Sequence, residues 1–357
     1  MKKSLLVSFD TSYSFWKRDP TMPATINAIG YRQPLPIDSP DSLIDLRIPA
    51  PAPGPHDLIV RPEAVSVNPV DTKVRASAKP EGSERVLGFD ASGVVVEVGS
   101  DVSLFTTGDA VFYAGSIDRP GTNADLHAVD ERIVGRKPAR LSHAEAAAMP
   151  LTAITAWESL FDRLRVSEFS DGTILVLGAA GGVGSILIQL ARQLTGLAVI
   201  ATSGRPATSD WVTKLGAQHV VDHHGDLVAQ LRSLAPEGID YVFTSRSDGR
   251  IPMLAEVVRP FGEIVAIDDP QGLDVYPLKN KSITWHWESM FARSSFETPD
   301  MIGQHELLDA VSRLLDEGIL RTTLTRTLIG FDAQNLREAH RLVESGESIG
   351  KVVVSRS

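Results

Sequence analysis

The chain has 357 residues, 43% hydrophobic and 22% charged, with a formal net charge of −10. At roughly 100–200 residues per domain that length predicts two domains with sizeable cores, and so acidic a chain is expected to bind neither nucleic acid nor anionic membrane. The absence of cysteine excludes disulfide scaffolds, thiolate nucleophiles and cysteine-based metal sites, and no apolar run reaches the roughly 18 residues of a membrane span.

Met1-Lys2-Lys3 precedes a short apolar run from Ser4 to Phe9, and charged Asp10, Lys17 and Arg18 follow without a small-residue cleavage pattern. Residues 1–25 are therefore read as an extension rather than a signal peptide, Met22 is an alternative start, and the protein is expected in the cytoplasm. From 26 to 150 the texture leans to strands. Asp57–Val67 and Ala91–Val98 carry β-branched runs, Val111-Phe112-Tyr113 is a third candidate, and Pro51, Pro53, Gly54 and Pro55 punctuate them. Ser142 and Glu145 form a capping box ahead of a short helix, and Thr152–Leu164 reads as helical.

From Thr173 strands and helices alternate. Strands are expected at Ile174–Leu177, Ala198–Thr202, His219–Val221, Tyr241–Thr244 and Ile264–Ile267, with helices at Val183–Leu194, Ser209–Leu215, Leu227–Leu234 and Ile251–Val258. Such alternation implies right-handed crossovers and a parallel sheet, so 151–279 is assigned to one nucleotide-binding domain. Helices at Gly303–Glu317 and Ala333–Ser345 and a last strand, Lys351–Ser355, follow. The segment 280–357 is expected to complete the domain begun at 26–150.

The run Ile174-Leu175-Val176-Leu177 suits a buried parallel strand, and it leads into Gly178-Ala179-Ala180-Gly181-Gly182-Val183-Gly184 before an apolar-striped helix. A dinucleotide needs this arrangement: a tight turn, close backbone approach to the pyrophosphate, and a helix N-terminus to receive its charge. The spacing leaves Gly178, Gly181 and Gly184 as the structural glycines, with Gly182 and Val183 between them. In NAD sites an acidic residue about 20 positions on holds the ribose 2′-hydroxyl. Here Ser203-Gly204-Arg205 closes the second strand and the first acid downstream is Asp210. Ser203 as a donor and Arg205 as a bidentate partner suit a 2′-phosphate, with Lys214 as a further cation, so NADPH is the expected cofactor. His223-His224 is the one adjacent histidine pair. Its placement at a strand end, with alternating side-chain directions, is read as unsuited to metal.

Asn68-Pro69-Val70-Asp71, Gly88-Phe89-Asp90-Ala91-Ser92-Gly93, the glycine turn and Gly350-Lys351-Val352-Val353, taken together, resemble the medium-chain dehydrogenase/reductases, in particular the quinone-oxidoreductase-like and zinc-type alcohol dehydrogenase-like branch. The resemblance covers about residues 26–357. It implies an α/β fold in which a Rossmann dinucleotide-binding domain is inserted in a β-rich GroES-like domain, and it makes a homodimer the expected assembly. Where the zinc enzymes of that family place a ligating cysteine this chain has Asn68; their His-Glu pair is Phe89-Asp90, and their remaining catalytic cysteine falls near Met149-Pro150. Those side chains do not form a three-ligand zinc site, so no metal is expected.

Without a Lewis acid, reduction of an electrophilic quinone or α,β-unsaturated carbonyl is the expected reaction. The resemblance implies Asn68, Asp71 and Thr72 near the nicotinamide end of the cleft, Tyr113 as a donor to the substrate oxygen, and Thr152 near the nicotinamide or its ribose. Asn123, in the loop from Ser116, is a further substrate contact, and Ile267-Asp268-Asp269-Pro270 ends a sheet strand where ligands bind. Trp285, Trp287, Met290 and Phe291 are read as one apolar cluster, forming either an acceptor pocket or a dimer interface. The alternatives are another alcohol/carbonyl pair as substrate, or a crystallin-like protein that binds NADPH without turnover.

Overall fold

The structure is a computed structural model describing residues 23–357; the basic start, the apolar run and Met22 lie outside the described residues. In chain order the strands and helices are β1 (Thr25–Tyr31), β2 (Ile44–Pro49), β3 (Asp57–Val67), α1 (Pro69–Ser77), β4 (Arg85–Val86), β5 (Asp90–Val98), β6 (Ala110–Ala114), β7 (His127–Asp130) and β8 (Val134–Arg136). Then come α2 (His143–Ala147), α3 (Pro150–Trp157), β9 (Thr173–Leu177), α4 (Gly182–Leu194), β10 (Ala198–Ser203), α5 (Pro206–Leu215), β11 (His219–Asp222), α6 (Leu227–Leu234), β12 (Ile239–Thr244), α7 (Ile251–Val257) and β13 (Val258–Ala266). β14 (Thr284–Trp287), α8 (Ala292–Ser295), α9 (Gly303–Asp316), β15 (Leu324–Ile329), α10 (Ala333–Glu344) and β16 (Lys351–Ser355) complete the order. None of the described helices is long and apolar enough to cross a membrane.

The β-rich part holds a three-stranded sheet ordered β2-β1-β4 and a seven-stranded one ordered β15-β16-β3-β5-β6-β8, with β7 also on β3. β3 is covered on both faces, with Leu58, Val60, Val65 and Val67 in one core and Ile59 and Ala64 in others, which is why its apolar residues run almost without interruption. Pro62, which cannot donate to a ladder, falls at a register shift between β3 and β5. β16 reaches this sheet from the far end of the sequence and pairs antiparallel to β3, Val352 opposite Val67.

The third sheet, six-stranded, is fully parallel and ordered β11-β10-β9-β12-β13-β14. The strand order reverses beside β9, and ligands of doubly wound sheets bind at the carboxyl ends of the strands at such a reversal. Two expected boundaries move. β1 starts at Thr25, inside the expected extension. The parallel sheet extends past residue 279, because β14 pairs with β13 from Glu263↔Thr284 to Ala266↔Trp287. One core joins the two parts: Phe89, Phe112 and Ala114 of the β-rich domain pack with α3, α4 and α9 and with β9 of the parallel sheet.

The helix expected at Thr152–Leu164 begins at Pro150, whose fixed φ and missing N–H suit a first helical position. It widens into a π-helical turn at Glu158–Arg163. Glu158 is buried there; its carboxylate accepts from Arg293, while Glu288 accepts from Arg163 at 2.8 Å. Burial, reinforced by the neighbouring Glu288 carboxylate, pushes Glu158 up to about 9. The unfolded chain releases that proton near 4.5, so between these limits the folded protein holds a proton that the unfolded chain has lost. This contribution to stability is complete below about pH 4.5 and is lost as pH rises toward 9. Glu158→Gln should flatten the alkaline decline of the urea midpoint between about pH 5 and 9; an unchanged slope would place the titrating proton elsewhere.

Candidate cofactor and active site

β9 ends in four consecutive buried residues and stops at Gly178, where φ is +75°. The Gly181 N–H donates to the Gly178 carbonyl at 3.1 Å and closes the turn. α4 starts at Gly182 behind an extended Gly181 N-cap that makes no side-chain hydrogen bond, so the first N–H groups of the helix and the positive end of its dipole face the turn without a capping side chain. Gly184 allows the close packing of helix on strand: a Cβ there would lie 2.6 Å from the Ala179 carbonyl oxygen. A Cβ at Gly182 would meet Lys351 Cδ at 2.8 Å and Thr152 Cγ2 at 2.9 Å. Thr152 therefore stands against the glycine turn, as does the start of β16. Val183 packs on the core shared by both domains. The Gly350 N–H donates to the Ala180 carbonyl at 2.9 Å, and Gly350 forms a parallel bridge with Gly181.

Beside the turn lies a buried polar cluster. Asn68, Asp71, Asp90 and Lys351 are each 4% exposed or less. The Lys351 ammonium donates to Asn68 Oδ1, to Asp90 Oδ2 at 3.0 Å and to the Val67 carbonyl at 3.3 Å. Asn68 Nδ2 donates to Asp90 Oδ2 at 2.8 Å, and the Leu151 N–H donates to Asp90 Oδ1 at 2.7 Å. The Asn68 N–H donates to Asp71 Oδ2 at 2.8 Å. Burial drives the Asp71 carboxyl up to about 7; the Asp90 charge adds to that rise, and the Asn68 N–H and Lys351 oppose it. Thr72 is spent on the Pro69 carbonyl, 2.9 Å away.

Of the expected catalytic residues, Asn68, Asp71 and Thr152 come together beside the turn, whereas Tyr113 does not. Tyr113 lies inside the β-rich domain, in the core with Tyr31 and Leu43, and its hydroxyl is 3.0 Å from His127 Nδ1. His127 Nε2 faces the Pro120 carbonyl at 3.0 Å. A carbonyl only accepts, so Nε2 carries the ring proton and Tyr113 donates to Nδ1. Tyr113 is thus a core residue with a committed proton, not a substrate donor. Asn123 is also buried, with its backbone paired to Leu87 and Ile29 and its side chain against Gly88. At the end of β13 the Asp268 carboxylate takes the Ser247 N–H and hydroxyl, and Asp269 pairs with Lys73 of α1 at 2.8 Å.

The expected phosphate-binding set is also revised. The Ser203 hydroxyl is buried and engaged with Thr208, Ser209 and the Arg205 carbonyl at the start of α5. The exposed Arg205 guanidinium donates to the Glu347 carbonyl at 2.8 Å. Lys214 lies eight residues into α5, about 12 Å along its axis at 1.5 Å per residue, in a groove with Trp211, Thr325 and Ile349, and so stands apart from the end of β10. His223 and His224 follow β11 rather than lying within it, and the strand alternation invoked for them does not apply. The aromatic cluster divides: Phe291 packs edge-on to Phe89 at 5.0 Å, while Trp285 and Trp287 meet each other at 5.5 Å on the edge strand β14.

Asp90 and Lys351 were given no role in the sequence reading, although a signal was present. Each is a charged residue in a run that is otherwise apolar and strand-forming, and such a charge stays buried only when it is paired. Lys351→Met should therefore cost about 3–5 kcal/mol in urea unfolding by stranding the Asp90 carboxylate, and adding Asp90→Asn should recover most of that loss. Equal stability of the single and double variants would show that the ion pair is not what the substitution disturbs.

Residues 54–150 match the alcohol dehydrogenase GroES-like domain, and residues 215–354 match the zinc-binding dehydrogenase family. A zinc-type alcohol dehydrogenase-like protein of Staphylococcus aureus strain MSSA476 is 40% identical over 335 residues, covering 92% of this chain and 99% of the relative. A Rhizobium etli CFN 42 protein classed with the zinc-dependent alcohol dehydrogenases is 52% identical, with a TM-score of 0.91 over 93% of this chain and 98% of its own. The Escherichia coli quinone oxidoreductase solved with NADPH, 23% identical, shares the fold with a TM-score of 0.80 over 92% of this chain and 99% of its own. The glycine turn on a parallel sheet, the β-rich domain closed by β16 and these likenesses converge: the chain is an oxidoreductase of the medium-chain dehydrogenase/reductase superfamily, in the branch of the zinc-type alcohol dehydrogenase-like and quinone-oxidoreductase-like proteins.

Proposed function

We propose that this oxidoreductase uses NADPH to reduce a quinone or an α,β-unsaturated carbonyl, and does so without zinc. The observation that carries the reading is the Lys351 ammonium hydrogen-bonded to Asn68 and Asp90, where the resemblance to the zinc enzymes places a ligating cysteine and the second residue of their His-Glu pair. A zinc ion needs three protein ligands from thiolate, imidazole or carboxylate. Asn68, Phe89 and Met149 supply none of these, and among the described residues no group of three His, Cys, Asp or Glu side chains is placed to hold a metal. Zinc does not fit a donor set whose carboxylate is already neutralised by a lysine.

The residues do fit a dinucleotide. The open N–H groups of α4 and the dipole behind them suit a diphosphate, with the Lys351 stem packed behind Gly182. A nicotinamide bound there supplies the hydride. Asn68 and Thr152, which stand beside the glycine turn, would border the nicotinamide. Phe89 and Phe291, with the half-buried Val70, Ile117 and Ile267 on the same core, give an apolar wall suited to a flat, conjugated acceptor and to excluding water. Asp71 keeps a proton in part at neutral pH next to Asn68. With Tyr113 committed to His127, the proton that completes the reduced acceptor comes from solvent.

Purified protein given NADPH and a panel of quinones and enones should consume the nicotinamide absorbance with at least one of them. Chelator treatment followed by dialysis should change that rate by less than about twofold. A loss restored by added zinc would sink the zinc-free mechanism, and tight NADPH binding with no turnover on any acceptor would sink the reductase reading.

A further inference from the structure

β10 and β11 run parallel with Ser203 opposite Asp222, and the His223 N–H donates to the Ser203 carbonyl at 3.1 Å. The chain therefore leaves the two strands side by side, with Gly204 on one path and His223-His224 on the other. Both histidines fold over the glycine. A Cβ at Gly204 would lie 2.7 Å from His223 Nε2 and 2.5 Å from His224 Nε2, so the two ring nitrogens converge on one point that only a missing side chain leaves open. The ring centroids are 4.4 Å apart and the planes are tilted by 50°. Both residues are exposed, and no described protein group bonds either ring nitrogen.

Gly204 stands at the place, about 20 residues beyond the last structural glycine, where NAD sites carry the acid that takes the 2′-hydroxyl. Here that place holds donors. Arg246, just past β12, and Arg250, at the N-cap position of α7, add positive charge around His223, and Asp222 adds negative charge. Asp222 Oδ1 is occupied by the His224 N–H at 2.9 Å. Ser203 and Arg205, which the sequence suggested for this task, are engaged with α5 and with Glu347.

We infer that His223 and His224, backed by Arg246, form the cradle for a 2′-phosphate on the adenosine ribose and so select NADPH over NADH. The inference rests on the dinucleotide reading given above. An imidazole N–H donates to a phosphate oxygen whether the ring is neutral or charged. Two such donors beside a guanidinium gain charge-assisted bonds with a phosphate that a 2′-hydroxyl cannot return.

Calorimetry with NADPH and NADH on the full-length protein, the His223→Ala/His224→Ala double variant and Arg205→Ala tests it. Unaltered protein should bind NADPH at least about tenfold tighter than NADH; the double variant should lose about tenfold in NADPH affinity with NADH held within about twofold, and Arg205→Ala should lose less. Equal binding of the two dinucleotides by unaltered protein would mean that the NADPH reading itself has failed. A preference for NADPH that survives in the double variant would overturn the histidine assignment alone. A parallel loss of NADH would also overturn it, because the histidines would then be supporting the loop and not the phosphate. In unaltered protein, adenosine 2′-monophosphate should shift the imidazole proton resonances of both histidines and adenosine should not; no shift would refute the cradle independently of how the variants fold.

Discussion

Lys351 arrives from β16, Asp90 from β5 and Asn68 from the N-cap of α1, and they meet where almost no water enters. Each polar atom in that meeting limits the others. Asp90 remains buried because an ammonium, an amide and the Leu151 N–H share its two oxygens, and Lys351 remains buried because a carboxylate, an amide oxygen and a backbone carbonyl face it. A buried pair of this kind is weak evidence for stability in itself, but removing one member leaves a charge with nowhere to go. The cluster also fixes geometry. The stem of Lys351 passes beside Gly182 and Thr152, so the bonds that satisfy the β-rich domain also set its distance from the glycine turn.

The parallel domain was legible because its signals are local. A strand buried on both faces, a glycine turn and an amphipathic helix occupy consecutive residues, and the expected strands and helices from Thr173 to Val258 agree with the structure to within a few residues. What escaped was the last strand of that sheet. β14 is four residues long and half exposed, too short for an alternation to declare itself, and the boundary was set before it.

Side-chain direction was harder to read in the β-rich domain. β6 is covered on both faces: Val111 and Tyr113 enter one core, Phe112 and Ala114 the other. When both faces are apolar the two-residue period carries no label for inside and outside, and Tyr113 was assigned to the cleft when it belongs to the core of the β-rich domain. Ser203 and Arg205 were correctly placed at the end of β10, but a sequence does not show that a capping network and a distant carbonyl have already claimed their polar atoms. Nor does it show that the two histidines that follow the next strand fold over Gly204. That contact depends on the pairing of β10 with β11, which is set by the sheet and not by neighbours in the chain.

Because Gly350 bridges Gly181 and β16 inserts between β15 and β3, the nucleotide turn gains its last wall from residues synthesised long after it. On a ribosome the parallel sheet can form its local βα units while the Asp90 carboxylate still waits for its cation. Such distant pairing carries a large loop-closure entropy and belongs late in folding. The wall beside the glycine turn is thereby complete only once synthesis has passed β16, and a nascent chain stalled before that point carries the glycine turn without the lysine that completes it.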